Sequence, residues 1–251
     1  MTTAPAFRCP CGDPLLKVLR PLLEPTLRNA RDGHLTHDEA TELASGQLAL
    51  RLLPKHAAFD DEHHAILLSR AIYQQAVSWA LFSDEWLDAL ATLLLSSGRT
   101  RVLEVAAGSG VLAAPMQRRG LAWRTTDEQP SHIGLAAEQT PVDCDALTAL
   151  ERFGDETDVL FWAWWPIGDE GDAALLAECA RRRLPAIYVG EPCGGCTGSV
   201  ALWSHDPAPE PLFEARLGSA APSGATPGVD VPQWPGMKDR TFVVHPSLFV
   251  G

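Results

Sequence analysis

The sequence predicts an α/β protein: a Rossmann-like, mostly parallel sheet closed by an antiparallel C-terminal hairpin and preceded by a helical region. Three observations predict it. Apolar residues recur at helical spacing through about residue 98. From Arg101 onward short apolar runs alternate with helical patterns, which is the signature of parallel β-α-β units. The last two strand candidates, Leu212 to Leu217 and Thr241 to His245, are separated by a Pro/Gly-rich stretch without helical periodicity, so they are expected to pair as an antiparallel hairpin with a long loop. The division follows the change in pattern, with a helical N-terminal region or cap over 1–98 and a sheet domain over 99–251.

The first helix is expected to open at Asp13-Pro14, because Pro is tolerated in a first turn, and its stripe runs through Leu15, Leu16, Val18, Leu19, Leu22, Leu23 and Leu27. Pro21 and Pro25 are expected to kink or split it. Thr36 and Glu39 form a capping-box pattern before an apolar stretch to Leu53, which Pro54 ends. That pattern outweighs a calcium-loop spacing around Asp32-Gly33, since Arg28 and Ala30 stand at ligand positions. A third helical stretch is expected from Asp61 to Phe82. Ser83, followed by Asp84 and Glu85, then caps a helix to Ser96. The remaining strand candidates are Val102 to Val105, Ala122 to Thr126, Asp158 to Trp162 and Pro185 to Val189. Helices are expected near Val111 to Arg119 and Asp172 to Arg183.

With 251 residues and 46% hydrophobic content, the chain can bury a large core. Its formal charge of −12 would repel nucleic acid and anionic membrane at long range, so neither is an expected partner and a small-molecule substrate is. The first residues lack the basic segment and apolar core of a secretory signal, and no apolar run reaches membrane-spanning length, so a cytoplasmic protein is expected. Six cysteines in that setting are expected to be free thiols. Cys193-Gly194-Gly195-Cys196 has the spacing of half a zinc site or a redox pair, and Cys9 and Cys11 could add thiolates. Cys-x-Cys is tighter than the usual ligand spacing, however, so a glycine-rich loop with free thiols and no metal is preferred.

The chemistry-bearing segment is Arg101 to Ala114, a short strand ending in Glu104, a small-residue turn with Gly108 and Gly110, and a helix start. Glycines there let the backbone turn sharply and approach a ligand that a Cβ would hold away. In open α/β sheets the ligand crevice lies beyond the carboxyl ends of the strands, where this turn falls. Gly108 to Ala113 also satisfies Gly-x-Gly-x-x-Ala, which keeps a dinucleotide open. A carboxylate at Glu104 would repel a pyrophosphate and suit a ligand carrying an ammonium and a sulfonium.

With Glu104-Val105-Ala106-Ala107-Gly108-Ser109-Gly110 after the first strand, the chain resembles the class I S-adenosylmethionine-dependent methyltransferases, whose motif is Glu/Asp-x-Gly-x-Gly-x-Gly. Ala106 departs from the first glycine of that motif, at little cost as long as it keeps φ below zero. The resemblance implies a methyltransferase sheet and S-adenosylmethionine as cofactor, bound by Glu104, Ala106, Gly108 and Gly110. Asp127, at the end of the second strand, would accept the ribose hydroxyls. Asp145 and Ala146 would take the adenine edge, and Trp165-Pro166, after the fourth strand, would line the methyl-transfer pocket. A narrower resemblance, to a poorly defined bacterial methyltransferase-like group, rests on Ser78-Trp79-Ala80, on Gly190-Glu191 with Gly194 to Gly198, and on Val231 to Gly236 before Asp239-Arg240.

The implied activity is methyl transfer to a small molecule, in which the protein mainly holds the acceptor in line with the breaking C–S bond. Glu191, just past the fifth strand, is the candidate base for an acceptor that must lose a proton; its alternative is a carboxylate bonded to loop amides. A non-catalytic binding or scaffold protein, and a cyclisation or rearrangement on the same fold, stay open, as does the oligomeric state.

Overall fold

The computed structural model describes residues 13–53, 62–130, 140–211 and 231–244. Five helices come first: α1 (Pro14–Arg31), α2 (His37–Ala44), α3 (Gln47–Leu52), α4 (Glu62–Ala76) and α5 (Asp84–Ser96). The caps are those the sequence signals. Asp13 accepts from Leu15 N, Thr36 and Glu39 close a full capping box, and Ser83 accepts from Trp86 N.

Three expectations for the helical region change. Pro21 and Pro25 do not split α1, because both lie on its exposed side, where water can satisfy the carbonyls they free, while Leu19, Leu23 and Leu27 are buried opposite. The single helix expected from Thr36 to Leu53 breaks at Gly46, whose φ of 74° carries the chain from α2 into α3. α4 also stops at Ala76 rather than Phe82, leaving residues 77–82 as an irregular segment that matters below.

The second part is α/β with a mostly parallel mixed sheet. Its elements are β1 (Arg101–Glu104), α6 (Ala113–Arg118), β2 (Ala122–Asp127), β3 (Val142–Asp143), α7 (Ala146–Phe153), β4 (Val159–Ala163), α8 (Gly171–Arg182), β5 (Ala186–Gly190), α9 (Val200–Trp203), β6 (Glu210–Pro211) and β7 (Arg240–Val244). The strand order is β3-β2-β1-β4-β5-β7-β6. β1 to β5 are parallel, whereas β7 runs antiparallel to both β5 and β6. The C-terminal hairpin expected from sequence is therefore present, although β6 precedes the expected Leu212 to Leu217, which lies outside the described residues.

Successive strand residues feed opposite cores. Val102, Val159, Phe161, Ile187, Val189 and Val243 join the core built with α1 to α6, while Leu103, Leu160, Trp162, Ala186, Tyr188 and Val244 join that of α7 to α9. The first core runs without a break from Leu19 in α1 to Val243 in β7, so the N-terminal helices share it with the sheet. The Trp86 indole of α5 donates to Thr241 Oγ1 of β7 at 3.0 Å across it. Among the described residues, no helix is long and apolar enough to cross a membrane.

The strand order reverses between β1 and β4. β1 leads out to β2 and β3 on one side, β4 to β5 on the other, and the loops diverging from β1 and β4 leave a crevice at their carboxyl ends.

Candidate functional site

Of the three non-glycine residues with left-handed backbone among those described, two flank this crevice. Ala106 follows β1 with φ 50°, and Trp164 follows β4 with φ 55°; the third, Arg183, is the C-cap of α8, an ordinary place for that conformation. A left-handed aromatic is a true outlier, and such strain persists where surrounding contacts enforce it, most often at ligand sites. The condition under which an alanine there would cost little, a negative φ, is not met. The residue has the conformation a glycine would adopt freely. Ala106→Gly is expected to stabilise the fold by about 0.5–1 kcal/mol, the left-handed penalty less the extra entropy of an unfolded glycine, readable by urea unfolding.

Gly108 and Gly110 bend the turn with φ of 59° and 71°. The space beyond Gly108 is open, a Cβ there meeting nothing within 4 Å, so its glycine serves the backbone angle. Asp127, at the end of β2, fixes the turn: Gly108 N donates to its Oδ2 and Gln129 N to its Oδ1, both at 2.7 Å. A carboxylate has about four acceptor positions, which leaves two for a ligand. On the other side, Ser109 Oγ donates to Val77 O at 2.7 Å and ties the turn to the segment after α4. α6 begins only at Ala113, two residues later than expected, and lacks a side-chain cap.

One cleft of about 220 Å³ collects residues from four strand ends: Ala106 after β1, Asp127 with Glu128 and Gln129 at the end of β2, Ala146 after β3, and Trp165, Pro166 and Asp169 after β4. Five residues chosen from sequence therefore share a wall. Trp164 and Trp165, both past the end of β4, face different cores: Trp165 sits in the α7 to α9 core, while Trp164 packs against the other.

Three sequence choices are placed differently. Asp145 is outside that wall and caps α7, accepting from Thr148 N at 3.0 Å; its bonds with the Thr148 side chain and amide lower its pKa. Glu104 is buried beneath the turn, where Trp123 Nε1 donates to its Oε2 at 2.6 Å. Burial first, then the nearby charge of Asp127, pushes its pKa up to about 8 against the pull of the indole. At neutral pH this acid is mostly protonated, so the repulsion of a pyrophosphate expected from it is removed. Glu191 is also buried, but Cys196 N donates to Oε2 at 2.7 Å and Lys238 N to Oε1 at 2.9 Å. Burial works against the charge, yet these amides, the Cys196 thiol and the Lys238 cation hold its pKa below the ordinary value. A carboxylate so stabilised is a poor base. Its work is to clasp the Pro192 to Cys196 loop against the irregular segment leading into β7.

The acid the sequence did not single out as a site residue is Asp239. It is fully buried ahead of β7, with Oδ2 accepting from Trp164 Nε1 at 3.0 Å and Oδ1 without a partner. Burial raises its pKa to about 6; Glu191 adds to this, while the Trp164 bond and Arg70 oppose it. Sequence could mark Asp239 only as an acid beside a strand, because its partner lies 75 positions away. Cys193 and Cys196 are exposed free thiols, Cys144 and Cys179 buried ones, and Cys9 and Cys11 lie outside the described residues. Among the described residues, no three His, Cys, Asp or Glu side chains gather as a metal site. No family model matches the chain, and no curated protein matches it at significant similarity.

Proposed function

We propose that the protein binds S-adenosylmethionine in the crevice between β1 and β4 and transfers its methyl group to a small molecule. The single observation that carries this is the convergence of Ala106, Asp127, Ala146, Trp165 and Pro166 on one cleft at the reversal of strand order. Those are the positions where the methyltransferase resemblance puts the turn, the ribose carboxylate, the adenine edge and the transfer pocket. The sheet, parallel through β5 and finished by an antiparallel pair, is the one that resemblance implies.

In this proposal Asp127 uses its remaining acceptor positions for the ribose hydroxyls while its bonds to Gly108 and Gln129 hold the sugar against the turn. The Ala146 wall faces the base. The cofactor supplies an electrophilic methyl, so the chain's task is to align an acceptor beyond the sulfur and exclude water. A dinucleotide is less favoured because α6 starts too late to put its amino terminus on a pyrophosphate. The N-terminal helices would cover the acceptor side, because the segment after α4 is bonded to the glycine turn.

Calorimetric titration with S-adenosylhomocysteine is the test. Saturable one-to-one binding that a Gly108→Val substitution abolishes is the expected result. Absence of heat with the wild-type chain, together with no protection against thermal unfolding at millimolar ligand, would reject the proposal. A protein that binds the cofactor but turns over no acceptor would be a binding module on the same fold.

A further inference from the structure

Trp79 is 59% exposed, unusual for the largest apolar side chain. It belongs to the irregular segment between α4 and α5, and its ring stacks on Trp164 with centroids 6.0 Å apart and planes 23° from parallel. Trp164 is fixed from two further directions. The guanidinium of Arg70, on α4, lies 5.6 Å from its ring centroid, and buried Asp239 takes its indole hydrogen. The segment carrying Trp79 is itself tied to the glycine turn through Ser109 and Val77. An indole pair is thus held past the carboxyl end of β4, one ring largely exposed and the other on a left-handed residue next in sequence to Trp165, which turns to the opposite core.

Hydrophobicity alone would bury Trp79, and local backbone preference alone would relax Trp164. What the arrangement provides is a flat, electron-rich face anchored by a carboxylate and a guanidinium. Such a face binds another planar ring by offset stacking and discriminates poorly among saturated rings of the same size.

From this geometry we infer that the Trp79–Trp164 pair is the binding platform for an aromatic acceptor, and that Asp239 is a positioning residue that fixes Trp164 in it. The inference builds on the methyl-transfer proposal for the neighbouring cleft, and it names the acceptor class as a planar aromatic ring.

The experiment titrates the protein, with and without saturating S-adenosylhomocysteine, with p-cresol and with 4-methylcyclohexanol, following the indole 1H–15N resonances. The wild-type chain is expected to bind p-cresol saturably, shifting the Trp164 and Trp79 signals, and to bind the saturated ring about tenfold more weakly. Trp79→Ala, a change at the surface, should weaken p-cresol about tenfold with the unfolding temperature unchanged. Asp239→Ala should broaden or displace the Trp164 signal and weaken p-cresol. Asp239→Asn, which keeps an acceptor oxygen for the indole, should restore both. Equal binding of the two rings, unaltered binding by Trp79→Ala, or a Trp164 signal indifferent to Asp239→Ala would overturn the inference. Failure of S-adenosylhomocysteine to bind while p-cresol behaves as described would instead remove the methyl-transfer proposal and leave the aromatic site standing.

Discussion

Glu104→Gln is expected to stabilise the protein at pH 8 and to leave it nearly unchanged at pH 5. Glu104 is buried, and its pKa stands near 8 in the folded chain against 4.5 for the free side chain. A raised pKa means that the folded state retains a proton the unfolded state gives up. Its contribution is therefore fully present below about pH 4.5 and is lost progressively as the pH rises toward 8. At about 1.4 kcal/mol per pH unit, the full shift corresponds to a loss of up to roughly 4 kcal/mol by pH 8. Glutamine keeps an oxygen for the Trp123 indole and has no proton to lose. Denaturant unfolding of both proteins at pH 5 and pH 8 checks the difference, and parallel stability curves would show that Glu104 is not a buried neutral acid. The same proton reports on ligand charge. A cation placed above the turn would pull the Glu104 pKa down, so binding S-adenosylmethionine should release protons near neutral pH and bind more tightly as pH rises. Calorimetry in two buffers of different ionisation enthalpy would detect this, and Glu104→Gln should silence it.

Asp127→Ala is expected to cost at least about a hundredfold in S-adenosylhomocysteine affinity, since the proposed charge-assisted bonds to two hydroxyls and the observed tether of Gly108 would be lost together. Asp145→Ala separates capping from recognition. It should lower stability by about 1 kcal/mol through the lost α7 cap and reduce affinity only modestly, because its carboxylate stands outside the cleft. Unchanged ligand affinity in Asp127→Ala, at conserved unfolding temperature, would remove Asp127 from the cofactor site.

Local signals were legible wherever a single residue type satisfies a local physical demand. Asp13, Thr36 with Glu39, and Ser83 cap the helices their positions announce, because a short polar side chain before an apolar run can reach orphan amides in few other ways. Gly108 and Gly110 turn the chain after β1 because their φ values are ones other residues resist. Pro21 and Pro25 did not split α1, since both lie on its exposed side, and the exposure of that face is set by what α1 packs against.

The sequence by itself determined the α/β class and the change from helical to alternating pattern at Arg101, which depend on periodicity within a few residues. Five of the cleft residues, Ala106, Asp127, Ala146, Trp165 and Pro166, were marked through the family resemblance, whereas Glu128, Gln129 and Asp169 were not. Only the tertiary structure decided the fate of the acids. Glu104 is pushed toward its neutral form by burial, against the pull of the Trp123 indole, Glu191 is spent on amides 5 and 47 positions away, and Asp239 is set under Trp164 across 75. A carboxyl group's charge and role follow from its desolvation and from which donors reach it, and in this fold those donors arrive from distant segments of the chain.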